Sequence, residues 1–148
     1  MRPCATGIFG EIAFYHALME EGISIAKELK DRNALALALN WAAHLAYFER
    51  NPAEADRFAS ELIELSTRHN FVYFLATGAI WRGWARSAFG DTAKGIPWIE
   101  QGIRDFRATG SVIPLQYMLA VRAEALYLAD RTSEALEEIR EGSAGRKT

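Results

Sequence analysis

The chain has 148 residues, half of them hydrophobic and 24% charged, which is one ordinary domain with enough apolar surface to fold and excludes disorder as a description of the whole. A net charge of −2 gives no general attraction to nucleic acid or to an anionic membrane, and the single cysteine, Cys4, excludes an intrachain disulfide framework and a clustered thiolate metal site. No segment reaches the roughly 18 uncharged apolar residues of a membrane span, and no apolar stretch follows Met1 to Gly7 as it would in a leader, so the expectation is a soluble cytoplasmic protein without a membrane partner.

Residues 1–10 match no recognisable pattern and are expected to form a flexible N-terminus. From there the apolar spacing is helical, with no useful run of strand alternation and no Asn-Gly or Asp-Gly hairpin turn. The spacing predicts helices near 11–30, 33–49, 52–69, 71–89, 92–108, 112–129 and 132–141. In the third, Phe58, Leu62 and Leu65 form one stripe, and Asn51-Pro-Ala-Glu54 before it reads as an N-cap, a first-turn proline and a carboxylate placed to close a capping box. In the fifth, Ile96, Ile99, Ile103 and Phe106 repeat the stripe. Gly90 ends one helix and Asp91 caps the next; Gly110 and Ser111 repeat that arrangement, with Pro114 tolerated in a first turn. Residues 142–148 read as a flexible tail.

Three segments share a polar turn followed by a small residue: Glu49 to Asp56, Phe89 to Ile96 and Ala129 to Leu136, each beginning forty residues after the last. The register holds elsewhere. Small residues recur at Ala43, Gly83 and Ala123 and at Ala55, Gly95 and Ala135; apolar residues recur at Ala59, Ile99 and Ile139 and at Phe48, Ala88 and Leu128. Small residues at fixed points let two antiparallel helices approach closely. A pair that exposes an apolar face needs its neighbour to cover it. The expected fold is therefore all-α: an α-solenoid of stacked antiparallel helix pairs, about three hairpins (near 33–69, 71–108 and 112–141) plus an N-terminal helix, in one domain over 11–141. Tyr15 stands where this register places a small residue, so the first helix is a degenerate half-unit.

The paired helices with alanine notches resemble tetratricopeptide-like repeats in a longer-period form. More narrowly, Arg57 to Phe71, Trp81-Arg-Gly-Trp-Ala85, Gly95-Ile96, Gln101-Gly102 and Arg107-Ala-Thr-Gly110 are similar to the helical tail of bacterial adenylate/guanylate cyclase-like and predicted-ATPase (AAA-type) regulators. That resemblance spans residues 33 to 140 and implies a right-handed superhelix acting in signal transduction as a regulatory module beside a catalytic domain. The chain departs from the whole proteins in having no Gly-x-x-x-x-Gly-Lys-Ser/Thr phosphate loop and no recognisable cyclase metal-binding segment. It reads as a detached or truncated tail.

In a tetratricopeptide-like stack the first helix of each pair lines the concave face. Asn40, His44 and Tyr47 share one helical face there, and the register carries that face to Trp84 and Ser87 and then to Glu124 and Tyr127. These seven residues are the candidate partner-binding surface, with aromatics supplying area and polar groups fixing register; packing between helices explains Tyr47, Trp84 and Tyr127 equally well. Other chemistry-bearing residues carry plainer readings. His16 and Glu20 lie one turn apart but lack a His-Glu-x-x-His pattern, Arg82 and Arg86 read as exposed salt-bridging arginines, Glu137, Glu138 and Glu141 as a solvated helix face, and Cys4 as inert. The expected function is a non-catalytic protein- or peptide-binding scaffold, with no catalytic residue, metal, cofactor or nucleic acid. The alternatives are a subunit or remnant of a cyclase or ATPase whose nucleotide-linked activity lies in another domain, and a helical-repeat protein that self-associates through its exposed ends.

Overall fold

The computed structural model describes residues 7–111 and 115–145, and those residues form seven helices and no strand. The helices are α1 (Ile8–Glu28), α2 (Arg32–Phe48), α3 (Pro52–His69), α4 (Val72–Ala88), α5 (Thr92–Ala108), α6 (Leu115–Leu128) and α7 (Thr132–Gly145). Helices α3 and α5 begin and end where the sequence places them. Residues 8–10 and 142–145, expected to be flexible, are helical instead: α1 starts early, and α7 runs past 141 with Gly142 set against Leu119. The first turn expected around Pro114 lies outside the described residues, as do Cys4 and residues 146–148.

The turns between helices share one backbone solution. Each places a single residue in the left-handed region: Lys30, Arg50, Asn70, Gly90, Gly110 and Asp130, with φ between 55° and 98° and twenty residues from one to the next. At five of them the following N–H donates to the carbonyl five residues back, as Asp31 does to Ala26, Asn51 to Ala46, Phe71 to Ser66, Asp91 to Arg86 and Arg131 to Leu126, at 2.9–3.0 Å. This satisfies a carbonyl that the helix end would otherwise leave unpaired. The next helix is then capped at once. Asp31, Asn51 and Asp91 accept from the N–H groups of Ala34, Glu54 and Lys94 at 3.0, 3.2 and 3.3 Å. The capping box expected at Asn51 is only half formed. Its own N–H is already committed to Ala46, so the Glu54 carboxylate turns to Arg57 at 2.7 Å.

Every helix packs on the next in sequence, and α2 also meets α4, as α4 meets α6. Among the described residues the backbones of α3 and α5, and those of α5 and α7, stay apart, α5 and α7 being joined through the side chains of Arg107 and Glu141. Within the α4–α5 pair the small residues permit backbone contact: a Cβ on Gly83 would stand 2.7 Å from the Gly95 carbonyl oxygen, and one on Gly95 would stand 2.5 Å from that of Gly83. Ala43, Ala123, Ala55 and Ala135 are likewise buried, as the register requires. Around these crossings Leu39, Leu62, Ile80, Trp84, Ile99, Phe106 and Leu126 form the core. Two columns of the register behave differently. Phe48, Ala88 and Leu128 close their helices in exposed positions, and Ile139 is 55% exposed where Ile99 is fully buried against Gly83.

Two substitutions test this backbone account with opposite signs. Alanine at Gly95 gains about 1 kcal/mol of helix propensity, yet its methyl meets the Gly83 carbonyl, so a net loss of about 2 kcal/mol is expected by urea denaturation. Glycine at Lys30 removes the left-handed strain of a β-carbon and is expected to stabilise by about 1 kcal/mol, raising Tm by about 3 °C.

Candidate functional site

Helix α4 lies between α2 and α6, and its residues Tyr73, Thr77 and Trp81 recur every fourth position, so they face one way. They form the floor of a groove of about 470 Å³ whose walls are Asn40, Trp41 and His44 of α2 and Tyr117 and Met118 of α6, with Gly110 and Ser111 at one end. None of these lining side chains carries a permanent charge. Two polar groups on the floor are occupied: Trp81 Nε1 donates to Asn40 Oδ1 at 3.1 Å, and Thr77 Oγ1 donates to the Phe74 carbonyl at 3.3 Å.

His44 is the hub of the aromatic wall. Its ring stacks on Phe48 and on Trp81, both with centroids 4.7 Å away, and on Trp41 at 5.6 Å, while Tyr117 meets it edge-on at 5.7 Å. Its Nε2 is buried and has no hydrogen-bond partner. Burial among these rings lowers its pKa from the usual 6.5, so the imidazole is neutral at pH 7. The walls are also tied across α4, since Arg50 at the end of α2 donates to Glu124 of α6 at 2.6 Å. The result is a neutral aromatic trough able to stack planar or apolar groups.

The seven expected surface residues separate into three groups. Asn40 and His44 line the groove. Tyr47 is 9% exposed and Trp84 and Ser87 only 1%, so these three belong to the core and not to a binding face. Tyr47 and Trp84 pack edge to face at 5.0 Å, and Ser87 Oγ donates to the Gly83 carbonyl at 2.9 Å beside the close helix crossing. Glu124 stands on the rim, held by Arg50, and Tyr127 is 66% exposed away from the groove lining. Stepping forty residues from His44 follows the correct stripe of α4 but lands one turn too far along it, beneath the floor. Trp41, Tyr73, Thr77, Trp81 and Tyr117 went unselected. The signal for two of the columns is in the register, since Trp41 precedes Trp81, and Thr77 precedes Tyr117, by one period.

Elsewhere, Arg82 and Arg86 reach Asp56 at 3.6 and 4.0 Å and lie over the Trp98 ring at 4.8 and 5.9 Å, as salt-bridging arginines do. His16 bonds Glu49 at 2.7 Å, while Glu20 turns to Arg57 at 3.4 Å, so the two do not converge. The solvated acidic face expected on the last helix is corrected at Glu138, which is 7% exposed and pairs with Arg122; Arg122 also holds Glu100 at 2.8 Å, and Glu141 pairs with Arg107 at 2.8 Å.

His44 gives the groove a pH signature. Below 6.5 the unfolded chain takes up a proton that the folded chain resists, so stability is fully kept above that pH and falls as the pH drops beneath it. Phenylalanine at His44 keeps the stacked ring and removes the titration. The dependence of unfolding free energy on pH between 6.5 and 5 is expected to flatten in that variant, and the His44 proton resonances of the parent chain to titrate with a midpoint below that of a free imidazole. No family model, curated protein or solved structure matches the chain.

Proposed function

We propose that the chain is a non-catalytic interaction module: a tetratricopeptide-like α-solenoid whose inner helices α2, α4 and α6 present their groove to an uncharged, extended segment of a partner protein. The observation that carries this reading is the aromatic trough of about 470 Å³ on α4, formed by three successive inner helices and free of permanent charge. Support for the solenoid comes from the forty-residue register, the left-handed residue recurring at every turn, and backbone contacts that join α2 to α4 and α4 to α6 but not α3 to α5 or α5 to α7.

The chemistry of the groove selects its occupant. Trp41 and Tyr117 are each about half exposed, at 53% and 52%, and so present ring faces that a partner can bury. A charged side chain entering between them loses hydration without meeting a counter-ion, whereas a proline or an aliphatic side chain gains from the same desolvation. The regulatory setting implied by the resemblance to cyclase and ATPase tails places the catalytic work in another domain.

A displayed library of extended peptides, read by the tryptophan emission of Trp41 and Trp81, tests this reading. Apolar and proline-containing sequences are expected to be enriched over charged ones. Alanine at Trp41 or Tyr117 is expected to weaken their binding about tenfold, the usual scale of an interface anchor, with little change in Tm. Alanine at Trp84 is expected instead to destabilise the fold by about 3–5 kcal/mol. Binding that survives both groove variants, or a nucleotide bound by this chain in calorimetry, overturns the reading.

A further inference from the structure

Helix α1 carries two apolar stripes. One, with Ile23 and Ala26, is buried against α2. The other, Phe14, Tyr15, Leu18, Gly22, Ile25 and Leu29, follows the same helical spacing on a different face and is open; its large members are 41–74% exposed. It borders a second groove, of about 360 Å³, in which Tyr15, Leu18 and Met19 face Trp41, Leu45 and Phe48 of α2.

The forty-residue register identifies what this groove lacks. One unit further on, Trp81 corresponds to Trp41 and Ala85 to Leu45, and both are buried, Trp81 being covered by Asn40, His44 and Tyr47 of the preceding inner helix. Nothing among the described residues plays that part for Trp41, which is left 53% exposed. The seat calls for a helix antiparallel to α1, as α4 is to α5. It does not suit another hairpin helix of the α4–α5 kind, because Tyr15 occupies the position of Gly95, where such pairs touch backbone to backbone.

We infer that the seat is filled by α1 of a second copy of this chain, in a two-fold dimer whose axis passes beside Leu18. Antiparallel alignment about that residue sets Leu18 on Leu18 of the partner subunit and Phe14 over Gly22 of the partner subunit. Gly22 has the room, since a Cβ built there meets nothing within 4 Å. The same alignment sets Glu11 against Ile25 and Glu21 against Tyr15, so no acidic residue faces another, whereas a parallel pairing repeats each of Glu11, Glu20 and Glu21 on itself. The open parts of Phe14, Tyr15, Leu18, Ile25, Leu29, Trp41 and Phe48 amount to roughly 600 Å² per copy, and two copies together pass the roughly 1,000 Å² that a specific interface needs.

Sedimentation over a concentration series tests the dimer. The parent chain is expected to pass from monomer to dimer, and Leu18→Glu, which brings two carboxylates together on the axis, to weaken association about a hundredfold. Leu18 is half exposed, so helicity and Tm are expected to stay with the parent. Leu18→Lys is expected to be monomeric too, and an equimolar mixture of the two variants to recover the dimer, because only a two-fold contact places the new charges opposite one another. Ile139→Glu, at the other end of the molecule, is expected to leave association unchanged. A parent chain that stays monomeric, a dimer that survives Leu18→Glu, a mixture that does not re-associate, or a dimer lost with Ile139→Glu overturns the inference. Trp41 borders both grooves, so the two readings are separated by Leu18, which lines only the α1 seat, and Tyr117, which lines only the peptide groove.

Discussion

The structure depends on a backbone constraint repeated every twenty residues: a helix stops at a single left-handed residue, and at five of the six stops the next helix begins two positions later. Because five of the six stops close the same hydrogen bond to a carbonyl five residues back and the stops recur at a fixed spacing, α2 to α5 are each 17 or 18 residues long. Equal length keeps the small residues of one helix opposite those of the next. Without that, Gly83 and Gly95 would not meet, and the backbones of α4 and α5 would be held apart by side chains. Four of the six left-handed positions are not glycine, so the fold accepts strain at Lys30, Arg50, Asn70 and Asp130. Helix packing on both sides outweighs a cost of about 1 kcal/mol at each β-carbon.

Most of this architecture was legible in the sequence. Asn51 and Asp91 announced their caps through side chains that accept hydrogen bonds, and Gly90 and Gly110 announced left-handed backbone. Lys30, Arg50 and Asp130 announced nothing, since their conformation is imposed by the helices they join. The half-formed box at Asn51 was invisible for a related reason: the sequence shows which groups can bond, whereas the competing Ala46 carbonyl exists only once the preceding helix has formed. The extension of α7 through Gly142 to Gly145 runs against propensity.

The site was legible only in outline. Periodicity identifies which stripe of a helix faces inward, and it led to Asn40 and His44. It does not give depth along the stripe. Trp84 and Trp81 are three residues apart on one face, yet the first lies under the core and the second floors a groove, because Asn40 and His44 reach only the latter. Composition misled at Glu138 as well. An acidic run is normally solvated, but Arg122 stands between Glu100 and Glu138 and draws the second carboxylate inside.

The contact pattern has a mechanical corollary. Helix α4 bears on both α2 and α6, whereas α5 and α7 meet through the Arg107–Glu141 ion pair rather than through their backbones. Flexing between α5 and α7 strains one exposed ion pair, whereas sliding α4 along α5 must unseat the backbone crossing at Gly83 and Gly95. The α4–α5 junction thus resists shear, and the same α4 carries Tyr73, Thr77 and Trp81, so the bed of the trough rides on the stiffest seam of the fold.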